Sequence, residues 1–204
     1  ALKGYAIVGS VVGRVSGAFK AAAAEAGHYN DAAARLGISV EAVQELGFAA
    51  SQSGSDLDTL TGGLGKLADK VDAAKKGGKD AAAALRAVGL SKADAGKPMD
   101  ETIGKVADAF AKLPDGAKKA ALAADLFGQS GVKLIPFLNK GAAGIGAMRE
   151  EARRLGVVID GDAAAALQGF GDETLHIDLA HVDDAFDAKS RTHGGRGDAM
   201  LTST

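Results

Sequence analysis

Apolar positions along this chain recur at helical spacing, and glycine cuts the pattern into pieces. The clearest piece starts at Leu57. There Leu57, Leu60, Leu64, Leu67, Val71 and Ala74 alternate three and four apart, the heptad seam of a coiled coil, with Ser55 placed to cap a helix running to about Lys76. Gly62, Gly63 and Gly65 each weaken that helix by up to about 1 kcal/mol relative to alanine. The first segment, about Leu2 to Ala26, carries Gly9, Gly13 and Gly17 four apart, so that all three fall along one side of a helix and admit a close neighbour. It is almost apolar from Tyr5 to Phe19. Arg14 interrupts it, and its length falls short of the roughly 20 residues that cross a bilayer, so helix packing is favoured over membrane insertion. Seam and strip together predict association with other copies of the chain.

Between and after these, the pattern predicts a break near Gly27, a short helix from Asp31 to Leu36, and a helix from about Val40 to Ser53 capped by Ser39 and ended by Gly54. A helix from about Lys79 to Val88 ends at Gly89, and Leu90 to Met99 reads as a loop or short extended pair. Asp100 caps a helix with Ile103, Val106, Phe110 and Leu113 on one side, and Pro114, Asp115 and Gly116 form a turn. An alanine helix then closes on Leu126, Phe127 and Gly128, with Gly131 setting a bend before Leu134 to Asn139, where Pro136 falls in a first turn. In a last helix, Ala142 to Leu155, the residues Ile145, Met148, Ala152 and Leu155 share a seam, and Glu150 can pair with Arg154 outside it. The expected architecture is all-α: glycine-interrupted helices with coiled-coil-like seams, an extended N-terminal helix over 1–26, a helical region over 27–170 forming a small bundle, and a polar tail over 171–204.

Composition shifts this picture toward thin helices. Alanine is roughly a fifth of the chain and glycine near twice its usual share, while aromatics are 4% with no Trp. Large side chains supply most burial energy, so a thick independent core is not expected and neighbours are needed to hold the helices. The net charge of −2 sets up no field for nucleic acid. Lys75, Lys76, Lys79, Arg153 and Arg154 read as solvated faces. Without cysteine there are no disulfides and no thiolate metal sites. The chain opens on Ala1 with no readable signal peptide, and without an initiating Met further residues ahead of it are expected.

The run from Leu113 to Ile159, LPDGAKKAALAADLFGQSGVKLIPFLNKGAAGIGAMREEARRLGVVI, resembles the tail-length tape measure proteins of long-tailed phages and prophages. The resemblance lies in an ordered set: the turn Pro114, Asp115 and Gly116; the alanine helix; Leu126, Phe127, Gly128 and Gly131; the stretch around Pro136; Gly141 and Gly144; and the charged helix after Met148. Leu36 to Gly54 also looks like the family's segment, in the family's order, so the likeness covers roughly 30–170. It fades beyond about Phe170, as expected of a truncated or frameshifted prophage copy, of a foreign end, or of a short tape measure with its own terminus. The resemblance implies a structural virion protein, assembled in the bacterial cytoplasm. Several copies would run in the tail lumen while tube subunits polymerise around them, and the protein would leave ahead of the DNA at infection. The implied partners are other copies of itself, the tail tube protein, the tail assembly chaperone, baseplate or tail tip proteins, and the host membrane during ejection, with DNA contact incidental. Fully helical, 204 residues would span at most roughly 300 Å.

No chemistry is legible, and neither an enzyme nor a cofactor is expected. His176 and His181 are five apart and diverge on a helix; with Asp178, Asp183, Asp184 and His193 they read as an unpaired polar tail rather than a metal site. Thr61 to Leu67 lacks the first glycine of a phosphate loop and has Leu67 where Ser or Thr would ligate magnesium. Asp160 and Asp162 begin like a calcium loop, but Ala165 holds the glycine position and Gly171 the ligand Glu position. Arg196 to Asp198 is a common tripeptide. Two rivals to the tape measure reading are a membrane-active helical protein that oligomerises through Gly9 to Gly17 to help DNA across, and a helical assembly scaffold without a ruler role.

Overall fold

The computed structural model describes residues 21–174 apart from Lys92, and in them it has nine α-helices and no strand. The all-α expectation is therefore met. Gly9, Gly13, Gly17, the N-terminal strip and the polar tail beyond 174 lie outside the described residues.

Helix α1 occupies 21–36 and runs unbroken through Gly27, so the expected break there is absent. A lone glycine costs a helix only about 1 kcal/mol, too little to break this one. Gly37 ends α1 with φ +64°, and Ser39 caps α2 (Val40–Gln52) as predicted, its Oγ accepting from the Ala42 N–H at 3.1 Å. At α3 (Leu57–Lys75) the cap is Asp56 rather than Ser55. Its carboxylate accepts from both the N–H and the hydroxyl of Thr59, whereas the buried Ser55 Oγ has no partner. Helix α4 (Lys79–Ala87) ends just before Gly89, and the following loop contains a 3-10 turn, Asp94–Gly96. Helix α5 (Met99–Lys112) begins one residue ahead of Asp100, with Pro98 at its N-cap, since proline's fixed φ suits a helix start. Then come α6 (Ala117–Phe127), a 3-10 stretch (Gln129–Leu134), α7 (Ile135–Leu138) with Pro136 in its first turn, and α8 (Gly141–Leu155). The last helix, α9 (Gly161–Thr174), is capped by Asp160, whose carboxylate accepts from the Ala163 N–H at 2.8 Å.

The coiled-coil reading of α3 is corrected. Leu60, Leu64, Leu67 and Val71 are buried against this chain's own α4, α6 and 3-10 stretch, and Leu57 packs on Ala32, Ala33 and Val43 of α1 and α2. Short connections fold the later helices back onto α3, so its apolar stripe is consumed inside the bundle before another copy can use it. The glycines of α3 take part in that packing. A Cβ on Gly63 would lie 2.6 Å from Leu134 Cδ1, so the bare backbone is what lets Leu134 in.

A substantial core stands where a thin one was expected. Phe110, Phe127 and Phe137 are fully buried, and Phe110 meets Phe127 edge to ring at 6.1 Å and 65°. Three of the chain's nine aromatics meet in this one core, which average composition conceals. In α8, Ile145 and Ala152 are buried and Met148 packs against the core, but Leu155 stands 55% exposed at the helix end. The expected Glu150–Arg154 pair is replaced by Glu150–Arg153 and Glu151–Arg154, each one residue closer in sequence, because Arg153 is drawn toward α2.

Candidate functional site

Two constellations stand out, one built on glycine and phenylalanine and one on charge. The first gathers the tape-measure-like residues. Pro114, Asp115 and Gly116 turn the chain between α5 and α6, and Lys119, one helical turn past Asp115, folds back under it. The buried Lys119 ammonium donates to the Leu113 carbonyl at 3.0 Å and to Asp115 Oδ1 at 2.9 Å. Hydrogen bonding to Lys119, then its charge, then Asn139, hold the Asp115 carboxyl below its ordinary range. The turn is thereby locked by one charge-assisted contact. Gly116 takes φ +144°.

At the far end of α6, Leu126 and Phe127 enter the core, and Gly128 turns the chain with φ +76° and ψ −175°, a region open essentially to glycine alone. Gly131 then passes against α6. A Cβ there would lie 2.3 Å from the Ala123 carbonyl oxygen and 2.7 Å from Phe127 Cβ, so no side chain fits. Pro136 opens α7, and Gly141, at φ +64°, starts α8 where Asp108 of α5 reaches across to accept from the Ala142 N–H at 2.7 Å. That carboxylate does the work of an N-cap from another helix. Gly144 has only Lys140 of its own helix nearby. Apart from Gly144, these residues meet in one hub, α5–α6–α7–α8, over the inner side of α3.

The second constellation lies on α2, whose polar side receives the end of α8 and the segment leading to α9. Glu45 is buried and sits between two arginines of α8. Arg149 Nε donates to its Oε2 at 2.8 Å, Arg153 Nη2 donates to the same oxygen at 2.8 Å, and Arg153 Nε donates to Oε1. Burial pushes the Glu45 carboxyl up, but hydrogen bonds from Arg153 and Arg149 and their charges outweigh it and hold it below its ordinary value. One residue earlier Gln44 grips a main chain from both sides: its Nε2 donates to the Ile159 carbonyl at 2.8 Å and its Oε1 accepts from the Ile159 N–H at 2.9 Å. Glu41 Oε1 accepts from the Gly161 N–H at 2.7 Å. The Glu41 carboxyl is also held low, by its own N–H first, then by Ser39 and Gly161.

Beside this contact opens a cleft of about 760 Å³, walled by Glu41, Glu45, Asp100, Arg149, Arg153 and Asp160 among others. Its arginines are engaged with Glu45 and the Ser39 hydroxyl is engaged as a cap, so its walls offer no nucleophile held by a base. Among the described residues no group of three or more His, Cys, Asp or Glu is placed to hold a metal, and no helix is long and apolar enough to cross a membrane. His176, His181 and His193 lie outside the described residues.

Reading the sequence missed Glu41, Gln44, Glu45, Asp108 and Lys119. Only Lys119 left a signal, its spacing of four from Asp115. No family model, curated protein or solved structure matches the chain.

Proposed function

We propose that this chain is a structural protein of a phage-type tail, with the tape measure role that its sequence resemblance implies. The observation that carries the reading is the ordered run from Pro114 to Gly144. In support, the motif residues of that run other than Gly144 meet in one hub, with a locked turn at Asp115, a close approach at Gly131 and a left-handed start at Gly141. The proposed partners are further copies of the chain, the tube that encloses it, the tail assembly chaperone and the tail tip; the proposed place is the tail lumen.

The folded bundle changes the ruler arithmetic. About 150 residues as one straight helix would reach roughly 230 Å, whereas a compact chain of that size has a radius of gyration of about 15 Å. In a tail, such a bundle would add its own width as a fixed increment, and length would scale per residue only in extended helical chain. A deletion within α3 would accordingly remove Leu60, Leu64 and Leu67 from the core, and loss of the protein is expected in place of a tube shortened by 1.5 Å per residue.

Deletion of the gene from the replicon that encodes it, followed by electron microscopy of the particles, tests the role. The expected result is intact capsids with tails missing or of uncontrolled length, and the protein present in purified wild-type tails. Normal tails without the gene, or tails that never contain the protein, would overturn it.

A further inference from the structure

The described chain divides sharply in how its parts are held. Its two apolar clusters take no described side chain after Met148. From Gly156 onward the segment 156–169 rests on α1 and α2 through hydrogen bonds: Gln44 on both sides of Ile159, Glu41 on the Gly161 N–H, and Asn30 Nδ2 donating to Gln168 Oε1 at 2.7 Å. Ala164 is the one apolar residue of that stretch that is fully buried, and an alanine removes little area from water. At the point where this arm leaves the bundle, Gly156 sits in the left-handed region with φ +67°. Leu155 and Val157, 55% and 53% exposed, flank it. Two of the three exposed large hydrophobics among the described residues therefore stand side by side at the hinge; the third, Val132, is on the 3-10 stretch.

The geometry points to an exchangeable arm: the surface formed by Asn30, Glu41 and Gln44 receives the α9 arm of a second copy of this chain, with the hinges of the two copies meeting through Leu155 and Val157. Each hydrogen bond made within one chain re-forms between two, so exchange sacrifices none of them. What the dimer adds is cover for the hinge residues, which no described residue of the closed chain covers. Opposing exchange is the intramolecular advantage of the attached arm, equivalent to a concentration of about 1 mM for a short flexible link. Removing Leu155 and Val157 of both copies from water lowers that threshold by about tenfold or more, into the high micromolar range. The apolar seam of α3 has no part in it, being closed inside each bundle.

Because the chain has no cysteine, single thiols report the docking without ambiguity. A Cβ on Gly27 would lie 3.7 Å from Gln168 Cγ, the atom that a cysteine sulfur at 168 would replace, so Gly27→Cys and Gln168→Cys form a suitable pair. The full chain carrying both, oxidised when dilute, should give an internally linked monomer; failure of that bond to form would overturn the docking geometry itself. Separately purified single variants, mixed in equal amounts at high micromolar concentration and then oxidised, should give a 27-to-168 linked dimer well beyond the twofold excess over each like-linked product that random pairing gives, identified by mass spectrometry of the linked peptides. The 1:2:1 distribution that random pairing gives, or no linked dimer, would overturn arm exchange. Gly156→Ala gives a second reading, since alanine strains the closed hinge by about a tenfold change in equilibrium. It should raise the dimer fraction accordingly, and Leu155→Asp with Val157→Asp should reverse the gain. A Gly156→Ala chain that melts earlier yet sediments as a pure monomer would count against the proposal.

Discussion

The hub around Gly131 and the polar face of α2 hold their parts of the chain by opposite means. In the hub, surfaces approach until a single methyl has no room, and the attraction is apolar burial around three phenylalanines. On α2, spacing is looser and the contacts are directional: a carboxylate between two guanidiniums, an amide on a main chain. The comparison teaches that the hub tolerates changes of solvent and resists changes of volume, while the α2 face tolerates changes of volume and answers to pH and to loss of a partner group.

The largest effect should come from the hub. Phe127→Ala removes a ring packed on Phe110 and should destabilise by about 3–5 kcal/mol in urea unfolding. Gly131→Ala, forced against the Ala123 carbonyl, should cost about 2–3 kcal/mol although it only adds a methyl. A neutral result for Gly131→Ala would show that the 3-10 stretch can move away, and the contrast between the regions would dissolve.

Next comes Glu45→Ala. Breaking a fully buried ion pair costs about 3–5 kcal/mol, but Arg153 is 48% exposed and can turn to water, so about 2 kcal/mol is expected. The same contact sets a pH dependence. The folded-state pKa values of Glu45 and Glu41 lie below the ordinary 4.5, so their contribution is complete at neutral pH and is lost as pH falls below about 4.5 and through those lower values. Hydrogen exchange near pH 4 should show the 156–169 segment losing protection while the hub keeps it. Simultaneous loss in both regions would mean that the α2 face has no separate acid sensitivity.

Smaller still, Gln44→Ala gives up two hydrogen bonds to Ile159 and should cost about 1–2 kcal/mol, with faster exchange at the Ile159 amide as its local signature. Asp108→Ala removes the cap on α8 and should cost about 1 kcal/mol, read as a drop in melting temperature with the helix content at low temperature unchanged.

These two regions also differ in how far the sequence exposed them. Ser39 as a cap, Pro136 in a first turn, and the glycines at 54 and 89 as helix ends follow from local stereochemistry and were legible from a few neighbouring residues. The stripe of α3 was legible as a stripe, but its partner was not, because periodicity fixes a face and says nothing of what covers it. Gly63 read as a weak point in a helix until Leu134 was known to occupy the space above it. Glu45 was unreadable for a stronger reason: a charged residue on a helix looks solvated unless its partners are known, and these lie 104 and 108 positions away. Helix α9 hid behind two aspartates suggestive of a loop, one of which proved to be its cap.

Those long separations carry a consequence for the birth of the chain. The hub is assembled from neighbours in sequence and can close as soon as residues 99–145 have emerged from the ribosome, whereas α2 must wait for Arg149, Arg153 and Ile159 before its polar side is covered. Through that interval Glu41, Gln44 and Glu45 face water. An apolar face of the same size would be an adhesive surface on a nascent polypeptide, inviting contact with its neighbours on the same messenger. The carboxylates instead give the unfinished molecule a hydrated face, and the arginines that emerge later convert one of them into a closing bond.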